Sequence, residues 1–388
     1  MEISTCVKYV GVNDHQVDLF EGQYKVPNGM SYNSYVILDE KIAVMDTVDG
    51  FFTEEWLNNV EQVLSGKTPD YLVIQHMEQD HSASIPAFLK KYPNATVVST
   101  AKGFQFMEQF FPEFFAGQGL PAEQRIVAAN DGVLELGQHS LHFVYAPMVH
   151  WPEVMMTYEA TEKILFAADG FGKFGALDAE EEWADEARRY YIGIVGKYGP
   201  QVQAVLKKAA GLDIQTICSL HGPVLKENLG FYLEKYDKWS SYQPEESGVV
   251  IAYASVYGNT RNAAEYLADV LQEKGQKTVL YDLARCDKAK AVADAFRYDR
   301  LVLAGITYNG DLFPCMRSFI EGLTERNYQN RKVAIIENGT WAPMAGKLIL
   351  GMFEKSKNLT FTETTVSIKS AMNEQNKGEI GKLAEELS

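Results

Sequence analysis

Cysteine is scarce in this sequence, and what there is forms no framework. The four cysteines, Cys6, Cys218, Cys286 and Cys315, lie far apart with no CxxC pair. That excludes a disulfide-stapled fold and a cysteine-rich zinc or iron–sulfur site, and it fits a reducing compartment. Long apolar runs are missing as well. No stretch reaches the roughly 18 to 20 residues that a bilayer-spanning helix needs, and the opening MEISTCVKYVGV lacks the basic start and greasy core of a signal peptide. A soluble, cytoplasmic chain with no membrane partner is expected. Basic charge is also in short supply: 36 Lys+Arg face 52 Asp+Glu, a formal charge of −16. Nucleic acid and anionic membranes both need clustered Lys and Arg, so no nucleic-acid partner is expected, and small molecules and proteins remain.

Apolar material is plentiful: the 388 residues are 46% hydrophobic and 12% aromatic. The length exceeds the roughly 250 to 300 residues at which one core stops growing, so two domains are expected. The charge divides unevenly, with −17 up to residue 247 and +1 beyond it. From Ser34 onward, short strand candidates (SYVIL, KIAVMDT, YLVIQ, ATVVST, HFVYA, KILFAAD) alternate with helical stretches such as EEWLNNVEQVL and DAEEEWADEARRYYIGIV, whose apolar residues recur at three and four. A polar segment from Ser240 to Gly248 reads as a linker. Beyond it VVIAYAS, KTVLYDL, RLVLAGI and KVAIIEN are continuous apolar runs, each followed by a turn and a helical pattern. Strands without alternation are buried on both faces, which predicts a doubly wound parallel sheet. The division is therefore 1–245 and 248–388, both α/β.

The segment HMEQDH supplies His76, Glu78, Asp80 and His81 immediately after the strand YLVIQ. Histidine mixed with carboxylate suits iron, manganese or zinc. His150 follows HFVYAP, Asp169 ends KILFAAD and His221 follows QTICSL, so each sits at the C-terminal end of a strand candidate, where loops converge in α/β folds. Seven ligand-type side chains are too many for one tetrahedral zinc and suit two metals sharing a bridging carboxylate. His139 and His142 are left out, His142 because it falls inside a strand. The stretch GFGKFG, Gly170–Gly175, matches GxGxxG but has no acidic residue closing a following strand, and it reads as a flexible loop on the metal side. The aromatic residues Tyr24, Tyr190, Tyr191 and Trp151 are candidates both for lining the cavity and for ordinary core packing.

The order HxHxDH, then His, Asp and His, resembles that of the metallo-β-lactamase fold, with Glu78 in place of the second histidine. A carboxylate there adds negative charge and matches iron cycling between two oxidation states better than zinc. HxExDH resembles the diiron signature of flavodiiron proteins.

In the second half VVIAYAS runs into Ser255, Val256, Tyr257, Gly258, Asn259 and Thr260 before a helix. Hydroxyls of Ser255 and Thr260, the Asn259 side chain and backbone N–H groups at a helix N-terminus can surround a phosphate without a lysine, although the GNT turn alone is equally an ordinary helix cap. RLVLAGI leads into Thr307, Tyr308, Asn309 and Gly310, and KVAIIEN into Gly339, Thr340 and Trp341, whose indole can stack on an isoalloxazine. These three segments resemble the FMN loops of flavodoxin, with the ligand at the switch point of the sheet. No adenine-binding segment is present, which favours FMN over FAD.

A metallo-β-lactamase-like αββα domain followed by a flavodoxin-like domain covers essentially the whole chain and resembles a minimal flavodiiron protein. The paired CxxC motifs of a rubredoxin module are absent, so none is expected. Carried over by motif, the resemblance implies that His76, Glu78 and His150 hold one iron, that Asp80, His81 and His221 hold the other, and that Asp169 bridges them. In some members the histidine equivalent to His81 turns away. The resemblance also implies reduction of dioxygen to water, of nitric oxide to nitrous oxide, or both. Electrons would reach the irons through FMN from an external donor such as rubredoxin or a reduced deazaflavin, and the assembly would be a head-to-tail homodimer or a homotetramer. The rival reading is a zinc-dependent hydrolase with a regulatory flavodoxin domain, and Glu78 together with the flavin loops argues against it. An electron carrier with a vestigial metal site is disfavoured because all seven ligand positions are filled.

Overall fold

Runs of two to six residues rich in Val, Ile, Met and Tyr build the first part of the molecule, because β-branched and aromatic side chains suit a pleated surface. The computed structural model describes residues 3–115 and 119–388. One six-stranded sheet takes the order Val7–Tyr9, Tyr35–Ile37, Ala43–Met45, Tyr71–Val73, Thr96–Ser99, Arg125–Val127. Its first two pairings are antiparallel and the rest parallel. A five-stranded sheet runs Val133–Glu135, Ser140–Tyr145, Met155–Glu159, Ile164–Phe166, Thr216–Cys218, antiparallel except for the last pair. Inward residues of both sheets form one core, in which Val7, Tyr35, Met45, Val73 and Val98 meet Leu141, Phe143, Met155, Phe166 and Cys218.

The second part is a parallel sheet in the order Thr278–Asp282, Glu246–Tyr253, Tyr298–Tyr308, Lys332–Asn338, Thr360–Ile368. Its central strands are buried on both faces, as their unbroken apolar runs require. The fifth strand, TFTETTVSI, alternates exposed and buried residues because it lies at the edge. This is the doubly wound arrangement expected, and the fold class of both halves is α/β as read from the sequence.

Two compact units result, one of Met1–Tyr191 with Pro200–Tyr236, the other of Ile192–Gly199 with Asp237–Ser388. The segment Ser240–Gly248 is no loose tether. Trp239 Nε1 donates to Glu245 Oε1 at 2.7 Å, Arg331 donates to the carbonyl of Tyr242 at 2.7 Å, and Gly199 N donates to the Tyr242 hydroxyl at 3.2 Å. The Gly199 bond, with those of Asn327 Nδ2 to the carbonyl of Lys197 at 2.8 Å and of Arg326 Nε to the carbonyl of Gly193 at 3.1 Å, ties Ile192–Gly199 to the second unit, which local polarity in the sequence does not signal. Among the described residues no helix is long and apolar enough to cross a membrane.

Candidate functional site

The first unit gathers side chains where strands end. His76 and Glu78 lie in the loop after Tyr71–Val73, and Asp80 and His81 on the one-turn helix Gln79–Ser82 that follows. Buried Asp46 shapes the exit from that strand, accepting the amide of Gln75 at 2.7 Å and its side chain at 2.9 Å. Burial pushes its carboxyl up to about 6, against the pull of those bonds. Thr47 holds the carbonyl of His81 through its hydroxyl at 2.7 Å and its amide at 2.9 Å. Asp169 stands just after Ala168, which takes a left-handed turn at φ +48° and accepts the amide of Leu220 at 2.8 Å. That bond sets the loop of Asp169 beside the loop of His221.

All seven residues named from the sequence come together in two groups, His76, Glu78, His150 and Asp169 in one and Asp80, His81 and His221 in the other. His150 Nε2 lies 3.1 Å from both Glu78 Oε2 and Asp169 Oδ2, and His76 Nε2 lies 3.3 and 3.4 Å from the same two oxygens. The other carboxylate oxygen of Asp169, Oδ1, faces His81 Nε2 at 3.3 Å and His221 Nε2 at 3.7 Å. Asp80 Oδ2 is 3.3 Å from each of those two nitrogens, which stand 3.0 Å apart. His81 thus points inward.

These spacings are those of ligands sharing a cation. Bonds of about 2.1 Å at near-octahedral or tetrahedral angles put neighbouring ligand atoms roughly 3.0 to 3.4 Å apart. Both Asp80 oxygens and Asp169 Oδ1 are buried without a hydrogen-bond partner, a costly state for a carboxylate unless a positive charge compensates. Burial opposes ionisation of Asp169, but His76, His150 and His81 hold its carboxyl well below the usual range. The donor set fits two metal ions.

Other residues fix the ligands, and the sequence reading did not name them. His76 Nδ1 meets Glu153 Oε1 at 2.8 Å, and His221 Nδ1 meets the carbonyl of Ser31 at 2.8 Å, leaving each Nε2 for the metal. Trp151 stands edge-on to His76 at 5.2 Å and Tyr190 lies 5.4 Å from His221, so both line the site. Tyr24 packs on Phe174, one layer away, and Tyr191 packs on Tyr236. The Gly170–Gly175 stretch is packed, which corrects the reading of a flexible loop: Phe171 stacks on Tyr236 at 4.2 Å, and Phe174 is buried.

In the second unit a cavity of about 390 Å³ lies at the ends of three strands. It is lined by Ser255, Val256, Tyr257, Asn259, Thr260, Thr307, Tyr308, Asn309, Gly310, Gly339, Thr340 and Trp341. Gly258 does not line it; with φ +93° it turns the chain into the helix Asn259–Glu273, where it is the N-cap and offers no side-chain cap. The first N–H groups of that helix are left for an anion. The Thr307 hydroxyl accepts the amide of Met344 at 2.8 Å, so it anchors the Trp341 loop in addition to facing the cavity. Asn338 and Ser370, which the sequence reading did not name, join at 2.9 and 3.1 Å and close the cavity floor. Trp341 and Tyr257 are 90% and 93% exposed, a rim suited to stacking on a flat ring. Phosphate-type donors at one end and an apolar slot at the other fit FMN.

Residues 30–222 match the ODP family beta lactamase model, and residues 250–358 match the flavodoxin domain model. The chain is 28% identical to the anaerobic nitric oxide reductase flavorubredoxin of Vibrio vulnificus, over 88% of this chain and 70% of that protein. Its fold is similar to that of the flavodiiron protein from Giardia intestinalis, with a TM-score of 0.91, 26% identity and coverage of 100% of this chain and 96% of the other. It is also similar to the fold of rubredoxin oxygen:oxidoreductase from Desulfovibrio gigas, with a TM-score of 0.91, 24% identity and coverage of 100% and 97%.

Proposed function

The chain belongs to the flavodiiron proteins, oxidoreductases of the nitric oxide and dioxygen reductase family with FMN and a diiron centre, and we propose that it reduces dioxygen to water, nitric oxide to nitrous oxide, or both. His76, Glu78 and His150 would hold one iron and Asp80, His81 and His221 the other, with Asp169 shared between them. The observation that carries this reading is the division of Asp169, with Oδ2 turned to His76 and His150 and Oδ1 to His81 and His221. When bound, two ferrous ions and fully reduced FMN store four electrons, enough to take dioxygen to water without releasing superoxide.

The protein's own part is placement and exclusion. Glu153 and the Ser31 carbonyl keep His76 and His221 as Nε2 donors. Trp151, Tyr190 and Phe20 pack on the ligand imidazoles, and Asp169 is left 1% exposed. Ser255, Asn259 and Thr260 would hold the flavin phosphate at the helix N-terminus, and the Tyr308 and Trp341 loops would hold the ring.

The exposed Tyr257 and Trp341 at the cavity rim support a head-to-tail homodimer or homotetramer in which a partner covers them. The electron donor is external, either a small acidic protein such as rubredoxin or a reduced deazaflavin; because the residues beyond 247 carry +1 against −17 before them, an acidic carrier would dock on local basic groups of the second unit, and its electron transfer should slow with added salt. Four free thiols support action in the cytoplasm. The test is anaerobic stopped-flow: the fully reduced protein is mixed with dioxygen or nitric oxide, and FMN reoxidation is followed. Fast reoxidation is expected by dioxygen with no peroxide released, by nitric oxide with nitrous oxide as product, or by both. Protein carrying zinc and hydrolysing esters or amides would overturn the reading.

A further inference from the structure

Asp169 follows the strand Ile164–Phe166, and Glu162 precedes it. At about 3.3 Å per residue the two lie roughly 20 Å apart, at opposite ends of the first unit. At the Glu162 end three loops meet: the segment before Val7–Tyr9, the hairpin between Val133–Glu135 and Ser140–Tyr145, and the hairpin between Met155–Glu159 and Ile164–Phe166. They bring Cys6, His139 and Glu162 together, with one ligand atom of each within 4.8 Å of the other two. His139, set aside in the sequence reading, is only 4% exposed.

The surroundings treat His139 as a ligand is treated. Asp39 Oδ2 accepts both its amide at 2.7 Å and its Nδ1 at 2.8 Å, so Nδ1 is turned to Asp39 and Nε2 to the cluster. That is the carboxylate–imidazole relay common behind metal-bound histidine. Nε2 lies 4.0 Å from Glu162 Oε1. The other oxygen, Glu162 Oε2, is buried with no hydrogen-bond partner.

The loops are pinned. Leu38 N donates to the carbonyl of Cys6 at 2.9 Å, Thr161 Oγ1 to the carbonyl of Gln138 at 2.8 Å, and Glu162 N to buried Glu159 at 2.7 Å. Ligands of one tetrahedral zinc stand roughly 3.3 to 3.6 Å apart. The ligand atoms, within 4.8 Å of one another, need to close by at most about 1.5 Å, and the Glu162 side chain is 24% exposed.

We propose that Cys6, His139 and Glu162 form a second, mononuclear site for a zinc-class divalent ion, with Asp39 orienting His139 and one coordination position open to water. A thiolate, an imidazole and a carboxylate make a borderline donor set that suits zinc and disfavours magnesium or calcium. Binding displaces the Cys6 thiol proton, which passes to solvent. The ion ties together three loops at the end of the sandwich remote from Asp169.

Sulfur distinguishes this site from the Asp169 centre, none of whose ligands is a cysteine. Holoprotein carrying iron and FMN is given one equivalent of zinc chloride, gel-filtered and examined at the zinc K-edge. One zinc per chain with a single sulfur neighbour at about 2.3 Å is expected. Cys6→Ser should lose the sulfur neighbour and the tight binding. Asp39→Asn should keep the sulfur and weaken binding about 10- to 100-fold. Iron and FMN contents should stay unchanged in both, which also shows that they fold. In the unaltered protein, zinc should slow alkylation of Cys6, mapped by mass spectrometry, about tenfold or more. Zinc that is not retained, zinc with only nitrogen and oxygen neighbours, a sulfur neighbour that survives Cys6→Ser, or unprotected Cys6 would each overturn the proposal.

Discussion

Glu153 and His76 are joined by a buried contact behind the metal centre. Glu153 Oε1 accepts from Nδ1 of His76 at 2.8 Å and also from the amide of Met77 at 3.0 Å. One carboxylate oxygen therefore sets both the ring and the backbone that carries it. Glu153→Gln should weaken iron binding about 10- to 100-fold at the site of His76, Glu78 and His150, with the second iron less affected. Titration of the metal-free variant with ferrous ion would check this, and two equal, unaltered affinities would refute it.

Asp169 is the shared member of both groups, so its replacement should act on two ions at once. Asp169→Asn should leave less than one iron per chain, because a neutral amide cannot neutralise two cations through two oxygens. Elemental analysis decides, and retention of two irons would remove Asp169 from the bridging position.

Metal uptake should release protons. In the metal-free chain, burial lowers the tendency of His150 to protonate, but hydrogen bonds to Asp169 and Glu78 outweigh it and raise its pKa from 6.5 to about 9. A protonated imidazole cannot ligate, so affinity should climb as pH rises through about 9. The stability that this group lends the metal-free fold has the opposite sense: it is full below the unfolded value near 6.5 and is lost as pH rises through about 9. Calorimetry at pH 7 in buffers of different ionisation enthalpy measures the released protons, and identical apparent enthalpies would count against this protonation state.

Trp341→Ala should loosen FMN by roughly 3- to 10-fold, as loss of one aromatic stack implies. Gly258→Ala should do so for another reason. Its φ of +93° costs about 1 kcal/mol or more for a residue with a Cβ, and relief of that strain would turn the helix N-terminus away from the phosphate. Flavin fluorescence titration reads both; equal affinity in Trp341→Ala would place the ring elsewhere.

Much of the architecture was legible because it rests on local pattern. The buried strands of the second unit show as unbroken apolar runs, and the helical pattern expected after VVIAYAS forms as Asn259–Glu273. Val12–Asp14, Leu19–Phe20 and Tyr24–Lys25 were not legible, since strands of two or three residues carry no periodicity. Thr360–Ile368 carries the alternation of an edge strand and not the continuous apolar run of its neighbours, so its sequence does not mark it as part of the buried sheet.

The sequence by itself determined the chemistry of this protein: seven histidines and carboxylates placed after strands, and three loops of small polar and aromatic residues after parallel strands. Position after a strand is a covalent fact, and strands of one sheet deliver their ends to one edge. Only the tertiary structure decided which oxygen of Asp169 faces which histidine, that His81 turns inward, and that Glu153 and Ser31 stand behind the ligands. It also brought Cys6, His139 and Glu162 from three separate loops to one point. Those relationships join residues tens to well over a hundred positions apart, and packing of side chains across the two sheets, not chain connectivity, sets their distances.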